Sequence, residues 1–258
     1  LTEPVWNMPS YIAEDGSLIT DGRRCLFLAS EVRCGSTFVA ESIAYELHEY
    51  FGLEMWDLSR ETFGDIDDDT DSGEWLSRWQ GLFLDPASGF VASKFMCRSL
   101  SFLHRVAART PAVSEAFFGP NAYWIVLRRR DRVEQAVSLA AARKSGAFHH
   151  YGDPDEAGDR DVELTLEEMD AALKAVALSD IYLQTFAESL PPERVTQLFY
   201  RDFVADEVAS LNRIHAMCGF PPPPVENYRN RSKLARTGQQ AKRRAREQLR
   251  GWFLANHA

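Results

Sequence analysis

Four short apolar runs, each followed by a segment of helical periodicity, constrain this chain more than any other feature. The runs are RCLFLAS (24–30), GFVASKF (89–95), AYWIVL (122–127) and VTQLFY (195–200). Short runs that stay apolar along both faces read as strands buried on both sides. Helices are predicted over 36–51, 99–109, 131–145, 165–189 and 203–218, and GFPPPP at 219–224 is a hard stop. Strands alternating with helices predict an α/β fold, a central, mostly parallel sheet flanked by helices. Such sheets take their ligands at the carboxyl ends of the strands. With no internal repeat and no long linker, one domain over 1–258 is expected, with 1–22 as an N-terminal surface segment.

Composition narrows the classes of function. A chain of 258 residues, 45% hydrophobic and 26% charged, can bury a core without a disulfide or metal staple. Cys25, Cys34, Cys97 and Cys218 are widely spaced and form no CxxC pair, so no metal is expected, and a reducing, cytoplasmic setting fits. No apolar run reaches the roughly 18–20 residues of a membrane span, and no signal peptide is expected. The net charge of −9 argues against nucleic acid as a partner. An anionic ligand would need local arginines and backbone amides. Arginines do cluster, in RRRDR (128–132) and in KRRAR (242–246), the second reading as a solvated helix face.

The first strand and first helix are joined by EVRCGST (31–37). Backbone N–H groups in such a turn can surround an oxyanion, and the helix N-terminus adds unpaired donors and about half a positive charge. Gly35 permits a close backbone approach, Ser36 and Thr37 are suited to cap the helix, and Arg33 puts a full charge at the mouth. A kinase-type loop carries a lysine after its glycine. Here the basic residue precedes the glycine and no lysine follows.

That order resembles the 5′-phosphosulfate loop of sulfotransferases that use 3′-phosphoadenosine 5′-phosphosulfate (PAPS), and the resemblance implies their P-loop-NTPase-like fold. It places Arg33, Cys34, Gly35, Ser36 and Thr37 around the 5′-phosphosulfate, with Arg33 polarising the leaving oxygen. Further along, LRRRDRVEQAVSLA is similar to the family's 3′-phosphate segment, which implies that role for Arg129 and Ser138, with Arg130 as a rival one residue on. QLFYRDF implies Tyr200 beside the adenosine, and the basic stretch NYRNRSKLARTG (227–238) offers Arg231 to the 3′-phosphate. The chain looks most like a bacterial branch, the trehalose 2-sulfotransferase-like family, with Glu41-Ser42 in the helix and Lys94 in VASKFMC. Counting thirteen residues on from Glu41 reaches Glu54, although the proline that usually precedes the family's glutamate is absent.

The resemblance implies a PAPS-dependent enzyme that sulfates a hydroxyl of a small-molecule or carbohydrate acceptor, leaves PAP, and works as a homodimer. Cytosolic sulfotransferases carry a histidine where this chain has Met96, so Glu54 is the implied base, with Arg33 and Lys94 stabilising charge. Segments 52–89 and 143–165 match the family least and are expected near the acceptor. Two alternatives stand beside this reading: a non-catalytic PAP-binding module and a P-loop-like nucleotide kinase. The acidic run around Asp65, Asp67 and Asp69 lacks the glycine and final glutamate of a calcium loop and reads as solvated. His149-His150 lacks further ligands, and Trp75 and Trp79 read as a core-facing helical pair.

Overall fold

The computed structural model describes residues 24–51, 56–57, 90–146, 148, 162–219 and 239–256. In chain order the elements are β1 (Arg24–Ser30), α1 (Ser36–Phe51), β2 (Trp56–Asp57), β3 (Phe90–Met96), α2 (Cys97–Ala107), α3 (Pro111–Phe118), β4 (Ala122–Arg128), α4 (Arg132–Ser145), α5 (Leu166–Ser189), β5 (Val195–Phe199), α6 (Tyr200–Ala205), α7 (Glu207–Cys218) and α8 (Gln239–Asn256). The strands form a five-stranded sheet in the order β2-β3-β1-β4-β5, and every described pairing is parallel. The α/β expectation therefore holds, with β1 in the middle and the two-residue β2 added at one edge.

Period-2 alternation gives the sheet two apolar faces. On one face Phe27, Phe95, Trp124 and Val126 pack against α2, α3 and α5. Aromatic rings fill this side: Phe27 lies 4.8 Å from Trp124 and 4.9 Å from Phe117, and the indole N–H of Trp124 donates to the Phe117 carbonyl at 2.8 Å. On the other face Leu26, Leu28, Ile125, Leu127 and Leu198 meet α1, α6 and α7 through Val39, Ile43, Phe203 and Ile214. A third cluster joins α4 to α5 and to Leu249 of α8. No described helix is long and apolar enough to cross a membrane.

Boundaries differ from expectation where local chemistry decided. The strand expected over 195–200 ends at Phe199, and Tyr200 opens a short helix. The helix expected over 203–218 is interrupted at Asp206, whose carboxylate caps α7 by accepting from the Ala209 N–H at 2.9 Å. Helix α3 was not expected, although Pro111 after Thr110 is a usual helix start. The KRRAR cluster lies on α8 and is only partly solvated: Arg243 is exposed, whereas Arg246 docks on Glu134 of α4 at 3.3 Å.

One buried ion group ties β4 to the helices beyond it. Arg128, at the end of β4, donates to both carboxylate oxygens of Asp180 on α5, at 2.7 and 2.9 Å. Arg132 in the first turn of α4 donates to the same carboxylate. Burial opposes ionisation of Asp180, but hydrogen bonds and charge from the two arginines outweigh it and hold its carboxyl below the usual range. Replacing Asp180 by Ala leaves Arg128 buried without its counter-ion and should cost about 3–5 kcal/mol of stability in urea unfolding. The depressed carboxyl also sets a sign. Its contribution is full above the unfolded carboxylate pKa of about 4 and is lost as pH falls through the folded value. Asp180→Asn should therefore flatten the acid side of the stability profile, and an unchanged slope would show that the group contributes little.

Candidate active site

The turn between β1 and α1 is shaped by two unusual backbone positions and by side chains reaching in from the neighbouring strand and helix. Arg33 has φ of 61° and Gly35 φ of 94°. The left-handed region is costly for an arginine and easy for a glycine. A Cβ on Gly35 would lie 2.2 Å from the ring of Tyr200, so the glycine answers to packing as well as to dihedral. The Gly35 carbonyl accepts the first helical bond of α1, from the Val39 N–H at 3.2 Å. The cap position thus falls on Gly35, and Ser36, expected as a cap, is buried in the first turn.

The turn is held from the side by β4 and α4. Arg129 donates from Nη1 to the Arg33 carbonyl at 2.9 Å, and Gln135 donates from Nε2 to the Val32 carbonyl at 2.9 Å. Arg33 donates from Nε to the Ser138 hydroxyl at 3.1 Å and from Nη1 to the Phe148 carbonyl. The structure therefore brings Arg33, Cys34, Gly35, Ser36, Thr37, Arg129, Ser138 and Tyr200 into one neighbourhood. Tyr200 borders the turn and Arg129 together, with the guanidinium carbon 5.7 Å from the ring centre.

The three consecutive arginines have different fates. Arg128 is committed to Asp180, and Arg130 is exposed, pairing with Asp202 at 2.7 Å over the Phe199 ring. Of the three, Arg129 is the one whose guanidinium bonds to the glycine turn. Its Nη2 pairs with Glu134 at 2.9 Å. Its Nε is buried and has no hydrogen-bond partner among the described residues. Burial, and then the positive charge of Arg129, press the Arg33 guanidinium below its ordinary pKa. Two arginines held together at a helix start, one with an unused buried donor, form a place that an anion would stabilise.

Other expected residues are placed differently. Lys94 is only 4% exposed on β3, level with Leu28 of β1 and Asp57 of β2, so it is not a surface lysine. Cys34 is buried, and that burial pushes its thiol pKa up, away from nucleophilic use. Glu54, Arg231, His149, His150, Trp75, Trp79 and the acidic run at 65–69 lie outside the described residues. Sequence reading assigned no role to Gln135 or Glu134, although both lie inside the LRRRDRVEQAVSLA segment, in the first turn of its helix.

A family model described as Stf0 sulphotransferase matches residues 90–247, and the chain belongs to that family. It is a sulfotransferase enzyme. The matched segment contains Lys94, Arg129, Ser138, Tyr200 and Arg231 and begins after the glycine turn. Similar solved structures include a sulfotransferase from Alicyclobacillus acidocaldarius, at 14% identity over 80% of this chain and 84% of that one with a TM-score of 0.48. Another is the sulfotransferase domain from the curacin biosynthetic pathway, at 17% identity over 78% and 76% with a TM-score of 0.48. No curated protein matches the chain.

The glycine turn makes a direct prediction. Gly35→Ala should lower stability by about 1–3 kcal/mol, from dihedral strain and contact with Tyr200. Adding it to a Tyr200→Ala background should cost less than adding it to the wild type. Equal costs in urea unfolding would show that the ring does not press on the glycine.

Proposed function

We propose that this single-domain enzyme transfers a sulfuryl group from PAPS to a hydroxyl of an acceptor, with a carbohydrate as the acceptor class the family resemblance favours. The observation that carries the donor assignment is the pair Arg33 and Arg129 at the glycine turn, with the Arg129 Nε buried and unused among the described residues. When bound, PAPS supplies a sulfuryl group already activated by its anhydride bond to a 5′-phosphate.

The chain's own groups then have separable tasks. The turn backbone at Cys34, Gly35 and Ser36 and the Thr37 hydroxyl suit the 5′ end of the donor. Arg129 Nε and the Ser138 hydroxyl suit its 3′-phosphate. Ser138 already accepts from Arg33 Nε, so its own O–H is left to donate. Arg33 also donates to the neutral Phe148 carbonyl, an acceptor that a charged phosphate oxygen can displace. The Tyr200 ring offers a wall for adenosine, and Arg231 a further charge for the 3′-phosphate. Arg33 and Lys94 would neutralise charge on the leaving oxygen, and losing one such donor typically costs about 10²–10³-fold in kcat.

Glu54 is the proposed base for the acceptor hydroxyl, a role worth about 10²–10⁴-fold. Segments 52–89 and 143–165 would shape the acceptor pocket, and a homodimer is the proposed assembly. The test is PAPS-dependent release of PAP against a panel of hydroxyl acceptors, with calorimetry of PAP, ATP and GTP alongside. PAP should bind in preference to ATP and GTP, and at least one acceptor should stimulate release. Preference for a triphosphate would return the kinase alternative, and PAP binding without turnover on any acceptor would favour the non-catalytic module. Glu54→Gln should lose turnover while retaining PAP affinity. Asp57→Asn belongs beside it, because the sheet register sets Asp57 level with Lys94. Full activity of Glu54→Gln would remove Glu54 from the mechanism.

A further inference from the structure

We infer that Glu134 is a positioning residue for the donor site, aiming Arg129 at the bound 3′-phosphate and linking that arginine to the C-terminal helix α8 through Arg246. The inference rests on the assignment of Arg129 to the 3′-phosphate. A guanidinium has three nitrogens. In Arg129, Nη1 is tied to the Arg33 carbonyl and Nη2 to Glu134 Oε2, each at 2.9 Å. Each Nη nitrogen keeps a second N–H, but Nε is the nitrogen that is buried and has no partner at all among the described residues, and so gains most from a ligand oxygen. Without Glu134, one of the two restraints on the guanidinium plane is gone.

The carboxylate is itself held on several sides. Its backbone N–H donates to the Asp131 carboxylate at 2.8 Å. Its side chain receives Arg246 of α8 on Oε1 at 3.3 Å and Arg201 of α6 on Oε2 at 3.2 Å. Asp131 in turn pairs with Arg250, one turn further along α8, at 2.9 Å. A carboxylate beside an anion site would ordinarily repel the ligand. Here three arginines meet the single charge of Glu134, so the local balance stays positive. Burial works against its ionisation, but Arg129 and then Arg246 hold its carboxyl below the usual range, so it stays charged at neutral pH.

The consequence is that residues of α8 outside the glycine turn govern donor affinity. The experiment compares binding of PAP and of 5′-AMP, which lacks the 3′-phosphate, to the wild type and to Arg129→Ala, Glu134→Ala, Glu134→Gln and Arg246→Ala by calorimetry. Thermal unfolding checks that each variant is folded. Glu134→Ala should weaken PAP by about tenfold or more, as for loss of a hydrogen bond to a charged group, and leave 5′-AMP unchanged. Glu134→Gln keeps an acceptor oxygen for Arg129 and should lose less, and Arg246→Ala should weaken PAP in the same selective way. The double variant Glu134→Ala with Arg129→Ala should bind PAP no worse than Arg129→Ala alone. If Glu134→Ala does not fold, the Gln and Arg246 variants decide the matter by the same comparison. Wild-type PAP affinity in the Glu134 and Arg246 variants, or equal loss for PAP and 5′-AMP, would overturn the inference. If Arg129→Ala also leaves PAP unaffected, the donor assignment itself fails.

Discussion

The bidentate bond between Arg128 and Asp180 fixes which arginine is left to reach the glycine turn. It joins the end of β4 to α5 on one face of the sheet, alongside Trp124 and Val126. Alternation then sends the next residue to the opposite face, where Ile125 and Leu127 meet α1. Arg129 arrives at the glycine turn because Arg128 is already committed elsewhere. Arg132 on the same carboxylate fixes the start of α4. From that start follow Glu134, Gln135 and Ser138, three side chains of one helix that face the turn or its arginine.

The site concentrates positive charge in a protein whose net charge is −9. Arg33 and Arg129 repel one another, and burial sharpens that repulsion. The fold holds them together by giving their donors neutral carbonyls, a hydroxyl and one carboxylate to bond. Polar groups already fixed before the ligand arrives need little rearrangement when it binds, which is the basis of electrostatic preorganisation. The acidic character of the rest of the surface does not cancel this, because charges separated by more than about 8–10 Å in physiological salt are largely screened.

What the sequence revealed was what is local. The turn and its flanking strand and helix are contiguous, so 24–51 could be read as one unit, down to the basic residue before the glycine. The sheet followed from apolar runs for the same reason. Which of the three consecutive arginines reaches the glycine turn was not legible, because it depends on Asp180 and Asp202, far along the chain, which take Arg128 and Arg130. The cap on Gly35 rather than Ser36 depends on backbone geometry that serine and glycine both allow on paper. The partly buried face of α8 was hidden because Arg246 and Arg243 look alike in sequence and differ only in whether an acid from another helix stands opposite. Glu54 and Arg231 rest on family resemblance alone.

The contact between Gly35 and the Tyr200 ring joins two residues made far apart in time. A ribosome delivers the turn early, and β4 with its arginines about a hundred residues later. Contacts of such long sequence separation form late and slowly, because loop closure must precede them. The aromatic wall that closes over the glycine emerges after the long helix and β5 have been made. A nascent chain that already displays Arg33 and Arg129 therefore still lacks that wall, and the packing of the turn is completed only after β5 has been made.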